Sequence, residues 1–166
     1  MSPRLLGIDL GERRIGLALA DTAIGLAEPL ATVRRGRTDA DDAATIGRHI
    51  DEQRIDELVV GLPLEASGGE GAMAQAARAW AASLGVLVGL PVCLRDERLT
   101  SHLAEQRLGP MRRGRSGGPP TKTQRDEYRA RVDREAAAII LQDELDARSA
   151  AVAARSAAAA AQSEAR

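Results

Sequence analysis

The feature that most constrains the fold is a pair of apolar runs near the start of the chain. The first run spans residues 4–10 and the second spans residues 15–20, and the turn at 11–13 is all that separates them. Two strands joined by so short a connection form a β-hairpin. The sequence therefore predicts a sheet that contains at least one antiparallel pair.

After this hairpin, strand-like and helix-like patterns alternate along the chain. The segment 25–33 is apolar but carries Pro29, which suits an edge strand better than a central one. The remaining predicted elements are a helix at 39–53, a buried strand at 58–62, a helix ending at Gly89, a strand at 92–95, a short helix capped by Thr100, and a final helix at 126–148. Such alternation indicates an α/β protein with parallel strands beside the hairpin.

Length and composition indicate one domain. The 166 residues, 44% of them hydrophobic and 28% charged, suffice for a single packed core. We expect this domain to cover residues 1–148 and the alanine-rich residues 149–166 to form a disordered tail or a frayed helix. The single cysteine, Cys93, excludes an internal disulfide and a cysteine-based zinc site. With neither a signal peptide nor an 18-residue apolar run, we expect a cytoplasmic protein with no membrane partner.

The net charge of −1 hides a strong local asymmetry. Residues 107–134 contain nine Arg or Lys side chains against three Asp or Glu side chains. A basic stripe of this kind favours a polyanionic partner such as nucleic acid. We expect four of these side chains to contact a nucleic-acid backbone, the alternative being a solvated flexible segment: Arg112, Arg113, Arg115 and Lys122.

Acidic residues occupy three positions that favour metal chemistry. Asp9 lies at the end of the first buried strand, Asp96 and Glu97 end a later one, and Asp133 lies on the apolar face of the last helix. Converging carboxylates repel one another unless a hard divalent ion such as Mg²⁺ or Mn²⁺ neutralises them. Two such ions, about 3.5–4 Å apart, can activate a water and stabilise the leaving oxygen of a phosphodiester. Taken singly, such an acid is more often a cap, a charge at a helix N-terminus or an exposed ion pair, and it is the joint placement of the three that favours a metal site.

Four motifs in order resemble those of the YqgF family, also called the RuvX or pre-16S rRNA nuclease family. They are GIDLG at 7–11 with IGLA at 15–18, VVGLPL at 59–64 with a glycine-rich continuation, DERLTS at 96–101, and VD at 132–133 with AA at 136–137. The match extends from residue 5 to about residue 145. The second motif departs from the family pattern, because Glu-Ala-Ser at 65–67 replaces the usual Asn-x-Asp. That departure puts a polar role for this loop in doubt.

The resemblance implies an RNase H-like fold, with a mixed five-stranded sheet flanked by helices, related to Holliday-junction resolvases. It implies that Asp9, Asp133 and one acid of the pair Asp96 and Glu97 bind Mg²⁺ or Mn²⁺ and are catalytic. Strand alternation directs the two members of that pair to opposite faces, and the longer side chain of Glu97 makes it the preferred ligand. The implied activity is metal-dependent hydrolysis of RNA, with 5′-end maturation of pre-16S rRNA in ribosome biogenesis as the task.

Several substrate contacts and alternative functions remain open at this stage. Arg98 and the backbone of Gly68 and Gly69 are candidates for phosphate contacts. One alternative is a resolvase of four-way DNA junctions, which needs a stable homodimer, whereas an RNA nuclease works as a monomer or a homodimer. Another is a non-catalytic RNA-binding module. The first motif also resembles the first phosphate loop of actin-like ATPases and sugar kinases, but this chain has a single copy and room for one lobe.

Overall fold

The computed structural model describes residues 2–98, 100–111 and 118–164, with side chains described as far as residue 161. These residues form five strands and four helices. In chain order they are β1 (Arg4–Leu10), β2 (Arg14–Asp21), β3 (Leu26–Arg34), α1 (Asp39–Gln53), β4 (Glu57–Leu62), α2 (Ala72–Val88), β5 (Val92–Asp96), α3 (Thr100–Leu108) and α4 (Lys122–Glu164).

The five strands form one mixed sheet in the order β3-β2-β1-β4-β5. β2 is antiparallel to both of its neighbours, whereas β1, β4 and β5 are parallel to one another. This strand order, with β2 alone reversed, is the RNase H-like arrangement, so the predicted fold class is confirmed. Pro29 lies in β3 at one edge of the sheet, as predicted, and the pairing of β3 with β2 is irregular next to it.

Helices cover both faces of the sheet. On one face, α1 and α2 pack against strand residues that include Leu6, Ile8 and Leu58. On the other, α4 packs its Ile140 and Leu141 against the opposite set of strand residues. The alternation of side chains along β1 therefore divides its residues between two separate cores.

A buried polar network holds the β1–β2 turn on the face covered by α1 and α2. Asp42 of α1 is fully buried and accepts hydrogen bonds from Trp80 Nε1 at 3.0 Å and from Arg35 Nε at 2.9 Å. Arg35 also donates to the carbonyl oxygen of Gly11 at 3.3 Å. Its guanidinium lies 5.7 Å from the centre of the Trp80 ring. The turn that follows Asp9 is thus anchored to both α1 and α2.

Thr100 was expected to cap α3, and the structure corrects this expectation. Thr100 is the first residue of the helix and is 4% exposed. Its N–H already donates to the carbonyl oxygen of Glu97 at 3.1 Å, so the helical turn begins before it.

The last helix is much longer than the predicted 126–148. It begins at Lys122, behind a capping box in which the Thr121 hydroxyl accepts from the N–H of Gln124 at 3.2 Å and the Gln124 side chain accepts from the N–H of Thr121 at 2.8 Å. It continues to Glu164, because alanine is the strongest helix former and no Gly or Pro occurs after Pro120. Residues 149–161 are exposed throughout.

None of the helices in the described part of the chain is both long and apolar enough to cross a membrane.

Candidate active site

The acids predicted at the strand ends lie where β1, β4 and β5 reach the same edge of the sheet. Asp9 is the penultimate residue of β1, and Glu97 immediately follows β5. The N–H of Glu97 donates to the carbonyl oxygen of Leu62, the last residue of β4, at 3.2 Å. Because the carboxyl ends of parallel strands share an edge, β1 and β5, with β4 between them, bring these two acids to the same edge of the sheet.

A glycine in β2 lets α4 approach Asp9. Gly16 is the cross-strand partner of Asp9, and cross-strand partners direct their side chains to the same face of the sheet. A Cβ at Gly16 would overlap the carbonyl oxygen of Asp133 in α4. The backbone of α4 at Asp133 therefore lies directly against the sheet beside Asp9.

A second glycine makes room for Glu97. A Cβ at Gly61 of β4 would overlap Oε2 of the Glu97 carboxyl group and would crowd Ile140 of α4. The Oε2 atom is buried and has no hydrogen-bond partner in the described part of the chain. A carboxyl oxygen in such a place is costly unless it is protonated or bound to a cation.

Burial and mutual repulsion raise the pKa of both acids. Burial, together with the negative charge of Asp133, raises the pKa of Asp9 to about 7. Burial, together with the charges of Asp9 and Asp96, raises the pKa of Glu97 to about 8. Desolvated carboxyl groups that repel one another in this way are typical of functional sites.

Asp96 differs from Glu97 in its surroundings. It accepts hydrogen bonds from Arg98, at 2.8 Å from the side-chain Nε and at 3.0 Å from the backbone N–H. The hydrogen bond from the Arg98 side chain is the main cause that lowers the pKa of Asp96. The two neighbouring acids thus have opposite character, one ion-paired near solvent and one buried beside Asp9.

Asp133 is held by an arginine. The Nε atom of Arg14, the first residue of β2, donates to Oδ2 of Asp133 at 2.5 Å. Within residues 2–98, 100–111 and 118–164, no three His, Cys, Asp or Glu side chains converge as a ready metal-binding group. Asp9 and Glu97 nonetheless fit a hard divalent cation, since they offer desolvated carboxylate oxygens, one of which has no other partner.

Of the residues predicted to contact phosphate, Arg98 is exposed, whereas the amides of Gly68 and Gly69 already have hydrogen-bond partners. The N–H of Gly68 donates to the carbonyl oxygen of Glu65 at 2.8 Å, and the N–H of Gly69 donates to the hydroxyl of Ser67 at 3.4 Å. Both amides are thus used within their own loop. Arg98 is exposed, and one of its terminal nitrogens would lie 3.9 Å from a Cβ at Gly68.

The predicted basic contacts lie near α4 or outside the described residues. Lys122 is exposed at the first residue of α4. Three of the predicted contacts lie outside the described residues: Arg112, Arg113 and Arg115.

Sequence reasoning missed the residues that shape the site around the acids. Gly16 and Gly61 had a usable signal, because glycine inside a strand often marks a close approach of another backbone or ligand. Arg14 had none, because its partner Asp133 is distant in sequence and meets it only in the folded protein.

Fold and site together define the class. An RNase H-like sheet with acids at the carboxyl ends of its central strand β1 and its edge strand β5, and a further acid supplied by the covering helix, defines a nuclease-type α/β protein.

Comparisons with known proteins narrow this class to a family. The family model RuvX, described as Holliday junction resolvase, matches residues 3–147. A protein of Anaeromyxobacter sp. (strain Fw109-5) named "Putative pre-16S rRNA nuclease" is 48% identical over 147 residues, covering 89% of this chain and 99% of that protein. A protein of the same name from Chloroflexus aggregans is 40% identical over 144 residues, covering 87% and 94%. The chain belongs to the RuvX family.

Solved structures show a weaker similarity. Thermus thermophilus RuvC in complex with a Holliday junction substrate is 15% identical, with a TM-score of 0.46, and the match covers 88% of this chain and 95% of that one. The fold assignment stands on the strand order instead.

Proposed function

We propose that this protein is a metal-dependent nuclease that hydrolyses RNA phosphodiesters at the 5′ side of pre-16S rRNA during ribosome biogenesis in the cytoplasm. The observation that carries the proposal is the pair Asp9 and Glu97, two desolvated carboxyl groups at the same edge of the sheet, one with an oxygen that has no hydrogen-bond partner in the described part of the chain. The names of the curated relatives support the choice of RNA substrate.

In this proposal Asp9, Glu97 and Asp133 are the residues that hold Mg²⁺ or Mn²⁺. When bound, the divalent ion activates a water and stabilises the leaving oxygen of the phosphodiester. The protein's own contribution is to fix the carboxylates: Asp9 by its place in the central strand, Glu97 by the hydrogen bond from its N–H to Leu62, and Asp133 by the close packing of α4 on Gly16. The charges of these groups repel one another without a cation, so the site favours binding one.

Exposed bases near the site hold the nucleic acid. Arg98 lies one residue after Glu97 and is exposed despite its ion pair with Asp96, so a phosphate oxygen can share its guanidinium. Lys122 is exposed at the start of α4. Three further bases, which lie outside the described residues, are proposed to contact the phosphate backbone: Arg112, Arg113 and Arg115.

A second candidate function is resolution of four-way DNA junctions, which the family description favours. The chemistry at Asp9 and Glu97 would be the same, but the substrate and the assembly would differ. A resolvase cuts two strands symmetrically and so needs two copies of the chain, whereas cleavage of one RNA strand needs one.

A substrate comparison tests the proposal. The purified protein is incubated with Mn²⁺, Mg²⁺ or EDTA and offered, in separate reactions, an RNA that carries the 5′ extension of 16S rRNA, a four-way DNA junction, and a linear DNA duplex of equal length. We expect metal-dependent cleavage of the RNA and no faster cleavage of the junction than of the linear duplex. Preferential cutting of the junction would transfer the proposal to the resolvase function, and cleavage in EDTA would contradict the metal-dependent mechanism.

A further inference from the structure

The ion pair between Arg14 and Asp133 is built into the fold. Arg14 begins β2, and its carbonyl oxygen accepts from the N–H of Gly11 at 2.9 Å, which closes the turn after β1. Asp133 is fixed from the other side, because the carbonyl oxygen of its own residue lies against Gly16. Both backbones are therefore held rigidly while the side chains meet.

This ion pair competes with the proposed metal site. Asp133 offers a carboxylate beside Asp9, whose pKa its charge raises, yet one of its oxygens already accepts from Arg14. A cation that binds this oxygen has to displace a charge-assisted hydrogen bond, which is stronger than a hydrogen bond between neutral groups. The two side chains are 28% and 22% exposed, so solvent reaches the pair and weakens its attraction.

Arg14 has space to move into. The pair borders a cleft of about 550 Å³ that is also lined by two exposed bases, Arg13 and Arg129, by two exposed acids, Glu12 and Asp126, and by Gly11. Within the described part of the chain, neither Arg13 nor Arg129 forms a salt bridge. Once a cation neutralises Asp133, the cleft holds three arginines against two carboxylates, so a phosphodiester oxygen is an available acceptor for the released guanidinium.

We propose that Arg14 is an exchange residue, meaning that its guanidinium changes partner. It is paired with the Asp133 carboxylate in the metal-free protein, and it binds a nucleic-acid phosphate when a divalent cation binds Asp133. The proposal rests on the proposed metal site. It assigns the cleft beside Arg13 and Arg129 as a phosphodiester subsite. It also makes binding of metal and of nucleic acid mutually favourable, because each ligand relieves the cost that the other faces in breaking the ion pair.

Mn²⁺ binding to the nucleic-acid-free protein tests the first half. Affinity is measured by titration with electron paramagnetic resonance of free Mn²⁺ for wild type, Arg14→Ala, Arg14→Gln and the matched control Arg13→Ala. We expect both Arg14 variants to bind Mn²⁺ about tenfold more tightly than wild type, which corresponds to about 1.4 kcal/mol. We expect the control, which removes an equal charge from the same cleft without touching Asp133, to change affinity by less than about twofold.

The outcomes separate the inference from the proposed function. Unchanged or weaker binding by the Arg14 variants, with normal binding by wild type, overturns the exchange role and leaves the metal site standing. An equal gain in Mn²⁺ affinity in Arg13→Ala also overturns the exchange role, because the gain would then come from the loss of any positive charge in the cleft and not from the release of Asp133. If no variant binds Mn²⁺, the proposed function fails and the inference with it.

Nucleic-acid binding tests the second half. The affinity for a 20-nucleotide single-stranded RNA is measured by fluorescence anisotropy with and without Ca²⁺ at constant ionic strength. We expect Ca²⁺ to increase the RNA affinity of wild type and of Arg13→Ala. The ratio of affinities with and without Ca²⁺ should be about tenfold smaller for Arg14→Ala, since the ion pair that couples the two ligands is gone. Equal enhancement in all three proteins would contradict the exchange. Circular dichroism of each variant verifies the fold, and Arg14→Gln replaces Arg14→Ala if the latter unfolds.

Discussion

Replacing Glu97 by Gln should stabilise the metal-free protein at neutral pH. The carboxyl group has a pKa of 4.5 in the unfolded chain and of about 8 in the folded protein, chiefly because of burial. A group whose pKa is raised by folding destabilises the folded state as pH rises from the unfolded value toward the folded one. Stability should therefore fall between about pH 4.5 and pH 8 in wild type, and this fall should be smaller in Glu97→Gln.

The magnitude follows from the two pKa values. At pH 7 the unfolded chain has Glu97 ionised, whereas the folded protein keeps it largely protonated, so folding takes up a proton at about 1.36 kcal/mol for each pH unit above 4.5. At pH 7 the raised pKa of Glu97 thus lowers the free energy of unfolding by about 3 kcal/mol, and the substitution by Gln can restore at most this amount. For a chain of this size the melting temperature should rise by up to about 6–12 °C at pH 7.

The assay is thermal unfolding in EDTA at pH 4, 5, 6, 7 and 8, followed by circular dichroism. The matched control is Glu52→Gln, which neutralises an exposed acid of α1. We expect the two variants to agree at pH 4 and to diverge progressively toward pH 8. A Glu97→Gln protein that is no more stable than the control at pH 7, or that gains equally at pH 4, would refute the conclusion that Glu97 is buried without a counter-ion.

Three further results are expected. Removing residues 149–166 should change the melting temperature by less than about 2 °C, because the described side chains of this part of α4 are exposed, and a larger loss would show that the tail docks. Gly16→Ala should destabilise the protein by more than about 2 kcal/mol in urea unfolding, since the new methyl group overlaps the carbonyl oxygen of Asp133; a change within 0.5 kcal/mol, about the size of a typical surface substitution, would contradict the close packing. In a variant with Arg112, Arg113 and Arg115 all changed to Ala, the slope of log affinity for RNA against log salt concentration should shrink by roughly 0.7–0.9 for each phosphate contact removed. An unchanged slope would show that these three residues do not contact the RNA backbone.

The order of strands and helices was predictable because local signals were strong. The three-residue turn required a hairpin. The helix α1 begins at its predicted residue, where Thr38 and Asp41 form a capping box, and ends at its predicted residue, where Arg54 adopts the left-handed conformation. The length of α4 does not follow from an apolar stripe, which ends before residue 149, because alanine extends a helix by propensity alone. Its start does have a local signal, since Thr121 is followed three residues later by Gln124 and the two form a capping box.

The site was predictable only as a set of residue types at strand ends. That Asp9 and Glu97 are desolvated depends on the packing of α4 over Gly16 and Gly61, which the sequence alone does not reveal. The contact between Arg14 and Asp133 joins positions 119 residues apart, and no local pattern links them. Local chemistry thus indicated which acids to consider, whereas their protonation and partners required the tertiary structure.

We propose that Asp9 helps to hold the divalent ion needed for RNA cleavage, and a paired measurement distinguishes this role from a structural one. Cleavage of an RNA carrying the 5′ extension of 16S rRNA is measured in Mn²⁺, beside the melting temperature with and without Mn²⁺, for wild type, Asp9→Asn and the exposed control Asp51→Asn. We predict that Asp9→Asn stays folded, loses the Mn²⁺-induced rise in melting temperature, and cleaves at least about 100-fold more slowly, since several kcal/mol of transition-state stabilisation are removed. Cleavage by Asp9→Asn at a rate comparable to the control, or a loss of activity explained by unfolding alone, would contradict the account.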